Sequence, residues 1–283
     1  MDRRKFIQTS SVAAAGLLTL PSFLEAAKKK TPIGLQLYTL RDVIMSDVKG
    51  VLTSVAAMGY TEAETYGYND GKLFGMTVAE FGSFMKSIGM KTVSGHYGIE
   101  MTSGKGWEKA CQDAKSLGQS YVVVPWMDKK YYSSLDELKK TCDLLNKAGE
   151  VAKKNGLQMG YHNHAFEFEK VESKIVFDTM LDQLDPKLVT WEMDIYWVVR
   201  AGHDPVKYFE KYPGRFQLWH VKDMDKSNNE HNADVGTGSI DFKNLFTKAK
   251  QSGMKKFFME QETYPSSPME STKNSINYLK TIL

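Results

Sequence analysis

Four apolar segments in the second half of the chain each end in polar or ionisable residues spaced two apart. The pairs are His162 and His164, Glu192 and Asp194, His220 and Lys222, and Glu260 and Glu262. Residues i and i+2 of a β-strand point to the same face, so each segment presents its pair on one side. Imidazoles and carboxylates drawn from four separate strands suit a divalent metal ion. The predicted ligands are His162, Asp194, His220 and Glu260.

The mixed nitrogen and oxygen ligands indicate both the metal and its chemistry. Two imidazoles and two carboxylates favour Mn, Co, Zn or Fe over Mg, which prefers oxygen ligands. With open coordination positions, such a metal would polarise a sugar carbonyl and stabilise the enediolate formed when the neighbouring carbon loses its proton. That reaction needs acid and base groups close to the metal. The candidates are Glu260, which would also be a ligand, together with His96, His164 and Glu262.

Other residues near the ends of predicted strands are candidates for contacts with the substrate. Lys222 could bind a substrate oxyanion or phosphate, or form an ion pair with Asp223 or Glu262, and the sequence leaves both interpretations open. Glu192 lies two residues before Asp194, which favours orienting the ligands over binding the metal. The predicted substrate-binding residues are Gln36, Tyr38, Glu64, Trp126 and Trp197.

These side chains can meet only if their strands lie side by side. After residue 30 the sequence alternates short β-rich segments with amphipathic helical segments. The predicted strands are Ile33–Tyr38, Thr61–Tyr66, Lys91–His96, Tyr121–Trp126, Leu157–Asn163, Leu188–Asp194, Arg215–Val221 and Lys255–Glu260. The predicted helices are Asp47–Met58, Thr77–Ile88, Trp107–Leu117, Leu135–Lys154, Ile175–Leu184, Pro205–Lys211, Phe242–Gln251 and Met269–Ile282. Eight strand–helix units predict an α/β fold, a single-domain (β/α)8 TIM barrel, with an open doubly wound sheet as the alternative.

The barrel interpretation also assigns roles to residues outside the predicted metal site. The polar pairs fall at the C-terminal ends of the strands, where TIM barrels carry their active sites. Trp191 and Trp219 alternate with the ligand positions, so we expect them to pack between barrel and helices. We interpret Gly236-Thr237-Gly238 as the turn into a helix rather than as a phosphate-binding loop.

The first 27 residues have the pattern of an export signal. Arg3 and Arg4 form a twin-arginine start, an apolar stretch follows over residues 12–20, and small residues precede position 28. The apolar stretch is too short for a spanning helix, so no stable membrane insertion is expected. We predict a signal peptide over residues 1–27, a barrel over residues 28–283 and a periplasmic location. A frayed N-terminal helix and an ordinary secretory signal are the alternatives.

The composition and net charge of the chain indicate which class of partner it can bind. The chain has 283 residues, 42% hydrophobic and 25% charged, with a formal net charge of +3. A nearly neutral chain offers no electrostatic footprint for nucleic acid, so we expect a small sugar or glycoside as the substrate. Self-association into a homo-oligomer stays open. Cys111 and Cys142 have no CxxC neighbour, and buried unpaired thiols are the expectation.

Several of these segments together resemble the xylose-isomerase-like TIM-barrel family of sugar isomerases and epimerases. The resemblance lies in residues 33–42, 156–164, 191–197, 219–223, 236–242 and 258–262. It implies a metal bound by Glu, Asp, His and Glu on strands five to eight. Asp194, His220 and Glu260 match the last three of these positions, whereas His162 replaces the first glutamate. Trp197 stands where family epimerases often carry a second histidine.

The two departures bear on which reaction the resemblance implies. Both departures break the symmetry of two-base epimerisation. At these positions the chain resembles relatives that eliminate or add water beside a keto group, such as inosose dehydratases and enzymes that act on 3-oxo-glycosides. The main hypothesis is a metal-dependent sugar isomerase or epimerase acting through a metal-stabilised enediolate. The alternatives are a metal-dependent lyase or hydratase on a keto-sugar or 3-oxo-glycoside and a non-catalytic carbohydrate-binding barrel. A repair endonuclease is disfavoured by the export signal and the near-neutral charge.

Overall fold

A ring of eight parallel strands forms the centre of the protein. The structure is a computed structural model that describes residues 31–283, so the predicted signal peptide lies outside the described residues. The strands are β1 (Gly34–Gln36), β2 (Glu62–Thr65), β3 (Lys91–Gly95), β4 (Tyr121–Val124), β5 (Gln158–His162), β6 (Val189–Asp194), β7 (Leu218–Val221) and β8 (Lys256–Met259).

The order of strand pairing closes the sheet. Neighbours in sequence are hydrogen-bonded neighbours from β1 to β3 and from β4 to β8, and β8 pairs with β1 in parallel. Strands β3 and β4 are joined by the His96–Val123 bridge and by a 2.9 Å hydrogen bond from the Ser120 amide to the Val93 carbonyl. The predicted TIM barrel is confirmed, and the open doubly wound sheet is excluded.

Helices cover the outside of the barrel and alternate with its strands. They are α1 (Val48–Met58), α2 (Val78–Ser87), α3 (Ile99–Thr102), α4 (Gly106–Ser116), α5 (Leu135–Lys154), α6 (Val176–Gln183), α7 (Ile195–Arg200), α8 (Pro205–Lys211), α9 (Phe242–Thr247), α10 (Ala249–Ser252) and α11 (Pro268–Ile282). Short 3-10 helices occupy Leu37–Leu40, Ile44–Ser46, Lys129–Tyr132 and Phe166–Phe168. No helix among residues 31–283 is long and apolar enough to cross a membrane.

Local chemistry explains where the helices begin and end. Thr77 and Glu80 form a reciprocal capping box at the start of α2, which satisfies two amides that a helix leaves without partners. Gly59 ends α1 with φ at 106°, a left-handed conformation that favours glycine.

The observed elements differ from the predicted ones mainly in short segments. The first strand stops at Gln36, because the side chain of Gln36 accepts a hydrogen bond from the Tyr38 amide and starts a 3-10 turn. The predicted helix Phe242–Gln251 is two helices that meet at Lys248. The sequence patterns missed α3, α7 and three two-stranded hairpins. The hairpin strands are Lys72–Leu73 with Met76–Thr77, Lys170–Val171 with Lys174–Ile175, and Asp223–Met224 with Asn232–Ala233.

The apolar core has two layers that leave the C-terminal mouth of the barrel polar. Trp191 contacts Phe177 of α6 with ring centroids 4.5 Å apart, and Trp219 stacks on Phe209 of α8 at 5.0 Å. The expectation that both tryptophans pack between barrel and helices is confirmed. A smaller apolar cluster fills the barrel interior below the mouth, formed by Val93, Tyr121, Val123, Leu218 and Phe258. Cys111 and Cys142 are free and buried, and burial raises the pKa of each thiol to about 12.

Candidate metal centre and sugar site

The four predicted ligands meet at the C-terminal end of the barrel. Strand register places Glu192 opposite His162 and Asp194 opposite His220, so β5, β6 and β7 present their polar residues in two layers. One ligand atom from each member of the predicted set lies within 4.8 Å of the others, and all four residues are buried. The predicted convergence is observed. Its members are His162, Asp194, His220 and Glu260.

The distances in this upper layer fit a site for one cation. Nε2 of His162 lies 3.9 Å from Oδ2 of Asp194, and Nδ1 of His220 lies 2.9 Å from Oε2 of Glu260. Among the described residues, Oδ2 of Asp194 makes no hydrogen bond apart from a 2.8 Å ion-pair contact with Nζ of Lys222. Two nitrogens and two carboxylate oxygens at these separations match the ligand chemistry of Zn, Mn, Fe or Co.

A second layer of carboxylates, Glu192 and Glu64, lies beneath the first. These carboxylates contact the nitrogens of His162 and His220 that face away from the upper carboxylates. Oε2 of Glu192 lies 3.1 Å from Nδ1 of His162, 3.2 Å from Nε2 of His220 and 2.8 Å from Nε2 of His96. Oε2 of Glu64 lies 2.6 Å from Nε2 of His220. Each shared imidazole therefore turns one nitrogen to the upper carboxylates and the other to Glu192, an arrangement that fixes ring orientation and tautomer in metal sites.

Lys222 places a buried positive charge between the upper carboxylates. Its Nζ lies 2.8 Å from Asp194 Oδ2, 2.8 Å from Glu260 Oε2 and 2.5 Å from Glu262 Oε1. Burial alone would lower the pKa of Lys222, but these three carboxylates raise it well above its ordinary value. Of the two interpretations from sequence, the structure shows the ion pair with Glu262. The proposed ion pair with Asp223 does not form.

Asp223 is instead bound by the turn that follows the third hairpin. Its carboxylate accepts hydrogen bonds from the amides of Gly236 at 2.9 Å, Gly238 at 3.0 Å and Ile240 at 3.1 Å. A Cβ on Gly238 would clash with this carboxylate, so the tight approach requires glycine. The amides of the Gly236-Thr237-Gly238 turn are thus used within the protein, in agreement with its interpretation as a structural turn.

The protonation of the upper ligands follows from burial and neighbouring charges. Burial and the nearby His220 hold the pKa of His162 well below its usual value, so its ring is neutral. Burial alone would raise the pKa of Glu260, but Lys222 and His220 hold it well below the usual value. Burial raises the pKa of Asp194 to about 6. A neutral imidazole and an ionised carboxylate are the forms that bind metals.

His96, which follows β3, has a different protonation state. Burial alone would lower the pKa of His96, but Glu64 and Glu192 raise it to about 9, so the ring is protonated at neutral pH. Oε1 of Gln36 accepts the Tyr38 amide, which turns Nε2 of Gln36 toward Nδ1 of His96 at 3.3 Å. In the tautomer with its proton on Nε2, His96 accepts this hydrogen bond from Gln36 at Nδ1.

A cavity of about 420 Å³ opens above these layers. Seven of the predicted site residues line it: Tyr38, His96, Trp126, His162, His164, Glu260 and Glu262. Tyr66, Gly67, Gly98 and Pro125 also line the cavity. Of these, Gly67, Gly98 and Pro125 were missed, since loop residues next to strand ends carry no periodic signal. The cavity opens directly onto Glu262, which lies beside Lys222, so a substrate carbon could approach that carboxylate.

Three of the predicted substrate-binding residues do not line the cavity. Gln36 and Glu64 are fully buried beneath it and hydrogen-bond each other at 2.8 Å. Trp197 packs against His164 with ring centroids 5.3 Å apart, because the Asp194 carboxylate caps α7 through the Trp197 amide. These three support the walls of the site, a correction to their predicted direct contact with substrate.

His164 faces the cavity and depends on a residue that sequence reasoning missed. Burial and the charge of Lys222 lower the pKa of His164 to about 3, and its Nδ1 has no partner among the described residues. Its backbone amide donates to Glu167 Oε2 at 2.8 Å, and the Tyr161 hydroxyl donates to Glu167 Oε1 at 2.7 Å. Glu167 lies on a 3-10 turn after the strand, and its position there gave no pattern from which to predict it.

Comparison with known proteins agrees with this architecture. Residues 52–282 match the family model described as xylose isomerase-like TIM barrel, and the chain belongs to that family. Two crystal structures from Parabacteroides distasonis, both described as a sugar phosphate isomerase/epimerase, are similar in fold and sequence. One is 30% identical with a TM-score of 0.78, covering 88% of this chain and 97% of that one. The other is 27% identical with a TM-score of 0.80, covering 92% and 98%.

A curated relative carries a different name. The inosose dehydratase of Clostridium perfringens is 26% identical over 181 residues, which cover 57% of this chain and 60% of that relative. The chain thus spans less than two thirds of the length of this curated relative. The relatives found by both comparisons are described as enzymes.

Proposed function

We propose that the protein is a metal-dependent carbohydrate enzyme that removes a proton from the carbon beside a sugar carbonyl and then eliminates a β-oxygen substituent. The observation that carries the proposal is the convergence of His162, Asp194, His220 and Glu260 on one point below an open cavity. A surface cluster of acids would not combine two buried imidazoles with two buried carboxylates.

These four residues would hold the metal, and their donor atoms fit Mn, Co, Zn or Fe better than Mg. When bound there, the metal supplies Lewis-acid polarisation of the substrate carbonyl and so acidifies the neighbouring C–H. Glu192 accepts the hydrogen on Nδ1 of His162, which leaves Nε2 of that ring free to bind the cation. Glu64 accepts the hydrogen on Nε2 of His220. Burial alone would lower the pKa of His220, but Glu192 and Glu260 raise it, so a bound cation would displace the proton on its Nδ1.

Glu262 is the proposed base. It lines the cavity, its side chain is about one-third exposed, and its Oε1 contacts Lys222 Nζ. Glu260 is a poorer base, because Lys222 and His220 hold its pKa well below the usual value. The backbone amide of Glu262 is fixed at 2.8 Å by Asn232 Oδ1, so the carboxylate approaches the substrate from a defined position.

His96 is the proposed acid. It is protonated at neutral pH and it lines the cavity. A leaving hydroxyl or glycosidic oxygen of the substrate would take the proton of this ring. Removal of the α-proton by Glu262 and protonation of the β-oxygen by His96 together yield water or an alcohol and an unsaturated product.

Elimination suits this site better than two-base epimerisation. An epimerase needs a second base opposite the first, and His162 holds the strand-five position with a pKa too low to take up a proton at neutral pH. The name of the Clostridium perfringens relative, inosose dehydratase, supports the same outcome. Isomerisation or epimerisation is the second candidate, because the Parabacteroides structures are described as a sugar phosphate isomerase/epimerase.

The test is product analysis in heavy water. Purified protein reconstituted with Mn²⁺, Co²⁺, Zn²⁺ or Fe²⁺ is incubated with inososes, 3-oxo-glycosides and ordinary sugars, and the products are analysed by mass spectrometry. Elimination lowers the mass by water or an alcohol, whereas epimerisation changes it only by deuterium. Sugar binding without turnover, by a protein that takes up no stoichiometric metal, would instead favour the non-catalytic barrel. We also propose that the enzyme is exported, on the basis of the signal pattern in residues 1–27.

A further inference from the structure

Both exposed aromatic side chains of the described residues lie at the mouth of the same cavity. The large apolar side chains that are exposed between residues 31 and 283 are those of Tyr38 at 40%, Met45 at 63%, Trp126 at 48% and Leu283 at 42%. Of these four, Tyr38 and Trp126 line the cavity above the predicted metal centre. Exposed aromatic surface is costly in water unless a ligand covers it, so the pairing indicates a binding function.

The two rings stand on different sides of the mouth. Tyr38 follows β1 and Trp126 follows β4, so two strands of the barrel, β2 and β3, lie between them. Tyr38 is held in place by the edge of the Tyr66 ring, with centroids 5.1 Å apart, and by the Arg41 guanidinium, 4.9 Å from the ring centroid. A preordered ring loses little freedom when a ligand stacks on it.

The volume of the cavity bears on the size of the ligand that it can hold. Its volume of about 420 Å³ lies within the range of roughly 300–1,000 Å³ found for sites of drug-sized ligands. The cavity therefore has room for a ligand of that size above His162 and Glu260.

The charges around the cavity argue against a phosphorylated ligand. The described residues that line it include the carboxylates of Glu260 and Glu262 but neither lysine nor arginine. The ammonium of Lys222 is buried and neutralised by three carboxylates. Arg41, the cation beside Tyr38, donates to the Tyr264 hydroxyl at 2.9 Å and to the Glu262 carbonyl at 2.5 Å. A phosphate dianion would therefore find no lysine or arginine side chain among the described residues that line the cavity.

We propose that the mouth of the cavity is an outer subsite for the second ring of an uncharged glycoside, which stacks between Tyr38 and Trp126 while the first ring lies over Glu260 and Glu262. The inference rests on the proposed function, since it names the substrate class of that site. Aromatic rings suit sugar or aryl faces because they bury a flat apolar surface without demanding charge.

The experiment is isothermal titration of the metal-loaded protein with matched probes. The probes are glucose, methyl glucoside, glucose 6-phosphate, cellobiose, maltose and both anomers of p-nitrophenyl glucoside. We expect at least one two-ring probe to bind about ten-fold or more tightly than glucose or methyl glucoside, and glucose 6-phosphate to bind no better than glucose. Tyr38→Ala and Trp126→Ala should each weaken the two-ring probe about five-fold and leave the one-ring probes unchanged.

Met45→Ala is the matched control, since it removes an equally exposed apolar side chain outside the cavity and should change no affinity. Circular dichroism and thermal melting verify that the three variants are folded alike. Equal affinity for one-ring and two-ring probes, with no effect of either aromatic variant, would overturn the outer subsite while leaving the proposed function standing. Tighter binding of glucose 6-phosphate that disappears in Arg41→Gln would overturn it in favour of a phosphate site. Failure of every probe to bind would overturn the outer subsite, whereas the proposed function is tested separately by product analysis with keto-sugars.

Discussion

At the scale of single residues, the site holds buried carboxylates whose charge must be compensated by nearby positive groups. Five carboxylates, those of Glu64, Glu192, Asp194, Glu260 and Glu262, approach one another at the top of the barrel. Lys222 is the fully buried ammonium among them, and protonated His96 and His220 add positive charge. Buried charges persist only when partners and hydrogen bonds compensate their lost hydration. A divalent cation would complete that compensation, which is why the same residues suit a metal centre.

Replacement of the proposed base should separate catalysis from metal binding. In Glu262→Gln we expect kcat to fall by about 10²–10⁴-fold, the usual contribution of a positioned base, with the metal content unchanged. Steady-state kinetics and elemental analysis measure the two quantities. Glu260→Gln is the contrast, because it removes a predicted ligand and should lower the metal content. Wild-type turnover in Glu262→Gln would rule out its role as the base.

Loss of the buried ammonium should destabilise the metal-free protein. Lys222→Met keeps the length of the side chain but leaves the carboxylates of Asp194 and Glu260 without their partner, which should reduce the free energy of unfolding by about 3–5 kcal/mol. Added Zn²⁺ or Mn²⁺ should restore more stability to the variant than to the wild type. Urea denaturation with and without metal gives both values.

The control for this substitution is a second lysine–glutamate pair in the same barrel. Lys256 contacts Glu62 at 2.5 Å but is partly exposed, so Lys256→Met should cost about 1 kcal/mol or less. An equal loss of stability in the two variants would show that burial of Lys222 has no special role.

At the scale of elements, the loop after β5 couples the site to stability through one carboxyl group. The 3-10 helix Phe166–Phe168 places Glu167 under the strand end, where Tyr161 and the His164 amide hydrogen-bond it. Burial raises the pKa of Glu167 to about 8 from an ordinary value of 4.5. The folded protein therefore holds a proton that the unfolded chain releases between these two values.

The sign of the resulting pH dependence follows from proton linkage. Since the folded state binds the extra proton, the contribution of Glu167 is most favourable below pH 4.5 and is lost as the pH rises to about 8. We expect wild-type stability to fall across that interval by up to about 5 kcal/mol more than the stability of Glu167→Gln. The glutamine does not titrate, and its Oε1 can accept from the His164 amide while its Nε2 donates to the Tyr161 hydroxyl oxygen. Chemical denaturation at pH 5 and pH 8 measures the difference. Parallel pH profiles for the two proteins would contradict it.

At the scale of the whole molecule, closure of the barrel brings β8 next to β1 and so sets the distance between the ligands and the loop that carries Tyr38. A Cβ on Gly34 would lie 2.5 Å from Cδ1 of Phe258 and 2.6 Å from the Phe257 carbonyl oxygen. Only a residue without a side chain allows β1 to approach β8 this closely.

Gly34→Ala should consequently lower the free energy of unfolding by about 1–3 kcal/mol, as overpacking does in cores. Gly106→Ala is the matched control, because it lies in α4 with no heavy atom within 4 Å of its added Cβ, and alanine there should be neutral or stabilising by up to about 1 kcal/mol. Thermal and urea denaturation of the two variants make the comparison. Equal stability of both variants would show that β1 can still approach β8 closely when position 34 carries a side chain.

Much of this architecture could be predicted because its signals are local. All eight predicted strands exist, and α5 and α8 begin and end at the predicted residues, since alternating apolar residues and capping residues act over a few positions. The ends of the predicted strands were less accurate, as at Gln36, because a side-chain hydrogen bond stops the strand. The convergence of His162 with Glu260 was predictable because parallel strands in a barrel expose their C-terminal ends at one mouth.

The amino-acid sequence by itself determined the number of strand–helix units, their order and the polar pairs at the strand ends, because each depends on neighbours in the chain. Only the tertiary structure decided that Lys222 lies between three carboxylates, that Glu192 binds three imidazoles and that Trp197 turns away from the cavity. Those contacts join residues from separate strands, and strand stagger and side-chain packing set them. No local periodicity encodes either quantity, which is why the chemistry of the site could be anticipated but its internal hydrogen bonds could not.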